Sequence, residues 1–256
     1  MRAMTNPIAV LRSSHDRLTD LVRNLDGDQV TAPSYDDDWT IADVASHLGS
    51  QAEIFGAFLD AGLAGDEPPG SDLFQPIWDK WNAMVPADQA SASIEANDAF
   101  VRRIEALAPD ERERFAINLF GRDTDLDGLA TMRVGEHAVH TWDIAVALDP
   151  KATVAADAVD LLIDTAPAIV ARAMKPVEGG GRVRILTVDP EREFGLDLDG
   201  GSLLDAAPPD ADHRVTMPAE AFLRLVYGRL DPDHLPLEVD GDAAVLGDLR
   251  EAFPGF

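Results

Sequence analysis

The chain of 256 residues contains no cysteine. That excludes disulfides, thiolate metal ligands and a cysteine nucleophile together. Any thiol chemistry must borrow its thiol from another molecule. Lysine is scarce, present only as Lys80, Lys151 and Lys175, and the net charge is −26. A field of that sign opposes binding to nucleic acid or to an anionic membrane surface. No run of about 18 apolar residues exists, so no membrane span is expected. The N-terminus lacks the basic–apolar–small pattern of a secretory signal, and a cytoplasmic location is the expectation.

What is present is ordinary for a globular protein. The composition is 46% hydrophobic and 27% charged. The length fits one large domain or two modest ones. Acidic residues such as Asp36, Asp37 and Asp38, or Asp123, Asp125 and Asp127, are spread along the chain and read as solvated surface.

Hydrophobic periodicity predicts an amphipathic helix over 6–25, with Ile8, Leu11, His15, Leu18, Leu21 and Val22 on its inner stripe. A polar loop over 31–39 follows. Thr40-Ile41-Ala42-Asp43 approximates a capping box opening a second helix, which carries Ile41, Val44, Leu48, Phe55 and Leu59 inward and His47 at its edge. A loop over 62–72 leads to a short helical segment with Trp78 and Trp81. Pro86 stands near the start of a third long helix running to about 108. A connection with some apolar content spans 109–122, and a fourth helix runs from about 125 to 148. Four helices in this stretch fit a bundle, in which metal sites are built from side chains on facing helices.

After Pro150 the style changes. A helix over 153–175 with a kink at Pro167 is expected. Strands follow over Arg182–Val188, Phe194–Leu198 and Arg214–Met217, with another at Leu237–Val239. Helices close the chain over Pro218–Tyr227 and Ala243–Phe253. The fold class is α+β, with domains 1–150 and 151–256.

Glu136 and His140 are four residues apart, on one face of the fourth helix. Leu129, Met132 and Ala147 fall on that same face. A carboxylate and an imidazole so placed supply two of the three protein ligands of an open divalent metal site, and His47 on a neighbouring helix is the candidate third. The same spacing also arises as a simple hydrogen-bonded pair at a helix surface. Asp143 stands where it can accept the second ring N–H of His140, or pair with an arginine. His137 points about 100° away and reads as a rim residue. Trp142 and His15 read as core residues, and His213 and His234 as solvated.

The stretches DWTIADVASHLGS and MRVGEHAVHTWDIAVAL, with their separation, resemble the mycothiol-dependent maleylpyruvate isomerase family, among the wider DinB-like metal-binding bundles. The resemblance continues more loosely into PAEAFLRLVYGRL and VDGDAAVLGDLREAF, which look like the family's sterol-carrier-protein-like C-terminal module. It implies an N-terminal DinB-like four-helix bundle followed by a smaller α/β domain. It implies a divalent metal, usually zinc, held by His47, Glu136 and His140, and mycothiol as thiol cosubstrate. It also implies an active-site arginine from the second domain, best matched by Arg229 with Arg224 as fallback; surface or structural charge is the other reading of both.

The implied activity is isomerisation or conjugation of a small electrophile. Thiolate addition to a conjugated cis double bond allows rotation, and elimination returns the trans isomer. Two other classes stay open at this level: a metal-containing binding or regulatory module without catalysis, and a metal-dependent hydrolase. Expected partners are a small-molecule substrate and a low-molecular-weight thiol, with the protein a monomer or homodimer.

Overall fold

A computed structural model describes residues 5–35 and 38–255. Asp36 and Asp37 of the predicted polar loop lie outside the described residues. The chain divides into two compact units, Met1–Ala152 and Thr153–Phe256.

The first unit is built on four long helices: α1 (Pro7–Val22), α3 (Ile41–Ala64), α5 (Pro86–Glu105) and α7 (Leu126–Leu148). Each of α1 and α3 packs against both α5 and α7. Short helices α2 (Gly27–Val30), α4 (Phe74–Asn82) and α6 (Pro109–Arg114) fill the connections. Local chemistry sets the ends of the long helices. Asn6 accepts from the first-turn amides of α1. Thr40 and Asp43 make a reciprocal capping box at the start of α3: the Asp43 amide donates to Thr40 Oγ1, and the Thr40 amide to Asp43 Oδ2. Gly65 ends α3 at φ +74°, a conformation that costs any side chain with a Cβ. Asp125 caps α7 through the Gly128 amide.

The apolar stripes of these helices meet. Leu18 and Val22 of α1, Ile41, Val44 and Leu48 of α3, Ala90 of α5 and Ile144 of α7 share one buried cluster. At its flank Gly49 lets α4 dock. A Cβ built on Gly49 would come within 2.1 Å of the Trp81 ring, and Trp81 is itself buried, with its indole N–H donated to Glu53. Gly49→Ala is therefore expected to destabilise by about 1–3 kcal/mol through overpacking, against a gain of ~1 kcal/mol in helix propensity. Urea denaturation measures it, and a net stabilisation would refute the tight contact.

The short helices α2 and α6 and a hairpin of this unit escaped the sequence reading. Within the apolar connection after α6 lies a hairpin of β1 (Ile117–Leu119) and β2 (Arg122–Thr124), turned by Phe120 at φ +55° and Gly121 at φ +79°. Two successive positive φ values match the right-handed twist of the strands they join.

The second unit opens with α8 (Ala156–Leu162) and α9 (Ala166–Ala173), separated by a 3₁₀ turn over Ile163–Thr165. The single kinked helix predicted there is two helices, because Pro167 sits in the first turn of α9, where a missing N–H costs nothing. Four strands follow: β3 (Arg182–Val188), β4 (Arg192–Asp197), β5 (Ser202–Leu204) and β6 (His213–Pro218). Their order is β5-β4-β3-β6, with β3 and β6 parallel and the other pairs antiparallel. Val183, Ile185 and Thr187 alternate into the core, and α10 (Ala219–Val226) covers that face, with Phe222 stacked on Phe194 at 4.4 Å. Helix α11 (Ala243–Ala252) closes the unit. The strand expected at Leu237–Val239 does not form. Leu237 is fully exposed, and Asp240 instead makes an isolated bridge to Thr216.

Candidate metal centre

The packing of α3 on α7 brings together His47, Glu136 and His140. One ligand atom from each lies within 4.8 Å of the others. His47 Nε2 is 3.5 Å from Glu136 Oε2, and His140 Nε2 is 3.9 Å from the same oxygen. The two imidazoles meet edge to face at 4.5 Å between centroids. His47 Nε2 is buried and, among the described residues, makes no hydrogen bond of ordinary geometry. A buried polar atom without a partner is costly, and here it faces a carboxylate and a second imidazole. These donors fit a divalent ion of the kind that takes imidazole nitrogen and carboxylate oxygen.

The electrostatics favour ligand-ready protonation states. Burial is the largest influence on His47 and lowers its pKa, which favours the neutral ring. Burial pushes the Glu136 carboxyl upward, but His47, His140 and Arg133 together outweigh that and hold it at about 2. The His140 ring is oriented from behind: Asp143 Oδ2 lies 2.8 Å from Nδ1. A carboxylate can only accept, so Nδ1 carries the proton and Nε2 presents its lone pair toward Glu136. Asp143 is almost fully buried, and its backbone carbonyl accepts the amide of Tyr35. Trp39 lines the same place, stacked on His140 at 6.3 Å and tilted against His47 at 5.4 Å.

Several expectations need correction. His137 is no rim residue: it is completely buried, with Nδ1 2.8 Å from Ser14 Oγ and 3.3 Å from Thr141 Oγ1. A rotation of 100° from Glu136 does not lead to solvent on α7, because α1 packs on that side. Met132 and Ala147, expected on an apolar stripe with Glu136, are exposed, while Leu129 is buried. His15, by contrast, is buried as expected, 3.7 Å from Asp98, with Nδ1 lacking a hydrogen-bond partner among the described residues.

Arg133, one turn before Glu136, was missed. It is completely buried. Its Nη2 donates to the Leu48 carbonyl at 2.8 Å and to Asn97 Oδ1 at 2.5 Å, tying α7 to α3 and α5. Burial lowers its pKa to about 10, so it stays charged at neutral pH. An arginine set among Leu129, Ala130, Met132 and Val134 was the signal that could have found it.

In the second unit Arg224 and Arg229 differ. Arg224 is buried and paired through both terminal directions with Glu220, and it also donates to the His234 carbonyl. Arg229 is partly exposed and donates to the Tyr227 carbonyl at 2.8 Å.

Residues 11–145 match the sequence model of the mycothiol maleylpyruvate isomerase N-terminal domain, and residues 153–248 that of the corresponding C-terminal domain. No curated protein matches the sequence. A crystal structure of a mycothiol-dependent maleylpyruvate isomerase is similar at TM-score 0.66 and 15% identity, covering 92% of this chain and 91% of that one. A histidine-to-alanine mutant of such an isomerase gives TM-score 0.66 at 14% identity over the same shares. At such identities the likeness speaks for the fold. None of the described helices is long and apolar enough to cross a membrane. With the N-terminal model alone spanning more than half of its length, the chain belongs to the mycothiol maleylpyruvate isomerase family.

Proposed function

We propose that the protein is a metal-dependent isomerase that uses mycothiol to convert a small, conjugated cis-alkene acid of the maleylpyruvate type. The observation that carries the reading is the buried, unpartnered Nε2 of His47 facing Glu136 and His140. Family membership supplies the thiol and the reaction class. His47, Glu136 and His140 would hold the ion, and zinc suits their mixed nitrogen and oxygen donors. A divalent ion there supplies the positive charge that lowers the pKa of a thiol brought to it.

The chain's own residues do the rest. Asp143 keeps the proton of His140 on Nδ1, so that Nε2 stays a donor atom. Trp39 shields the two imidazoles with its ring. From the family resemblance alone, Arg229 is proposed for the substrate's anionic group. The metal and thiol chemistry is assigned to residues 1–150.

The test is metal analysis joined to turnover. Purified protein is expected to carry about one zinc per chain, and to isomerise maleylpyruvate only when mycothiol is added. Turnover at an equal rate without thiol would reject the thiol step, and a metal-free active enzyme would reject the metal.

A further inference from the structure

Arg133 is an anomaly of charge. It is completely buried, and among the described residues its hydrogen-bond acceptors are neutral, the Leu48 carbonyl and the Asn97 side-chain oxygen. Its Nε and Nη1 have no partner, and its guanidinium lies 5.6 Å from the Phe55 ring. A buried cation hydrogen-bonded only to neutral groups is costly to fold around, and the Glu136 carboxylate offsets this only through space. It also stands out in a chain of net charge −26. Its placement ties that charge to the candidate metal centre. Arg133 is one turn from Glu136 on α7, and the carbonyl it holds belongs to the residue after His47. Its charge acts on both His47 and Glu136.

We infer that Arg133 is an electrostatic positioning residue of this centre: its buried charge, hydrogen-bonded only to neutral groups among the described residues, biases the site beside His47, Glu136 and His140 toward an anionic ligand over a neutral one. This rests on the metal reading above and deepens it. The acidic surface repels anions such as a thiolate or a substrate carboxylate. A cation enclosed in low dielectric acts locally and is little screened by salt. Ligand charge, rather than ligand shape, is then what Arg133 selects.

The experiment loads the full-length protein with cobalt(II) and follows its visible spectrum. It is titrated with azide, a permanent anion, and separately with imidazole at about pH 8, where that ligand is mostly neutral. Arg133→Met is expected to weaken azide by about tenfold, the scale of one unit charge at an effective dielectric of about 20, while imidazole affinity holds. Arg133→Lys should restore azide binding. Should Arg133→Met not fold, Asn97→Asp sets a carboxylate against the same guanidinium and is expected to weaken azide selectively as well. Equal loss of azide and imidazole would mean a merely structural role and overturn the inference alone. A wild-type protein that takes up no cobalt would remove the metal reading, and this inference with it.

Discussion

Replacing His140 by alanine is expected to lower zinc affinity by about a thousandfold, with helix content unchanged. The scale follows from the strength of protein zinc sites, ~10–16 kcal/mol over four ligands, or roughly 2.5–4 kcal/mol for each one removed, whose upper end is about a thousandfold. His47→Ala should behave alike, since its buried Nε2 makes no hydrogen bond of ordinary geometry among the described residues and faces Glu136 at 3.5 Å. Glu136→Gln keeps an oxygen donor but loses the charge, and should fall between these and wild type. Asp143→Asn gives the sharper comparison. It touches no ligand position, yet an Asn amide can donate to His140 Nδ1 and so place the ring proton on Nε2, where it blocks coordination. A loss of about 10–100-fold is expected, the usual cost of disturbing a partner behind a ligating histidine. Competition against a chromophoric chelator measures all four. Full zinc affinity in His47→Ala and His140→Ala would sink the ligand assignment; an unaltered Asp143→Asn would sink only the role of its carboxylate.

The main elements were legible because their signals are local. Thr40 and Asp43 announce the start of α3 by their own reciprocal bonds, and the four-residue spacing of Glu136 and His140 survives folding because α7 is a regular helix. Asp143 follows by the same arithmetic. What escaped depends on partners distant in sequence. Whether His137 meets water or protein is decided by α1, more than a hundred residues earlier, and a helical wheel carries no such information. The buried arginine is similar: Leu48 and Asn97 make it tolerable, and neither lies near it in the chain. The β1–β2 hairpin hid for another reason. Each strand has three residues, too few for alternation to stand out, and its turn uses Phe120-Gly121 in place of the Asn-Gly that usually marks such a turn. Local grammar therefore carried the candidate ligand positions, while the electrostatic setting of the site needed the tertiary structure.

Trp142→Ala is expected to cost about 3–5 kcal/mol, a large share of the ~5–15 kcal/mol typical of a folded protein. Trp142 is 2% exposed, so the truncation leaves a cavity the size of an indole between well-packed neighbours. Two further contacts go with it. The indole N–H donates to the Ala152 carbonyl at 2.9 Å, and the ring meets Tyr35 at 4.9 Å. The first pins the turn that follows α7, where the Lys151 and Ala152 amides bond back to Asp149. The second holds the segment whose Tyr35 amide donates to the Asp143 carbonyl, just behind His140. Trp142→Phe separates these contributions. It refills most of the volume and keeps a ring toward Tyr35, but strands the Ala152 carbonyl, so about 1–2 kcal/mol should be lost. Urea denaturation gives both differences. Hydrogen exchange should locate the residual effect of Trp142→Phe in residues 149–152. If alanine costs under about 1 kcal/mol, the indole is not packed as described. If phenylalanine costs as much as alanine, the bond to Ala152, rather than the filled volume, is what secures the end of α7.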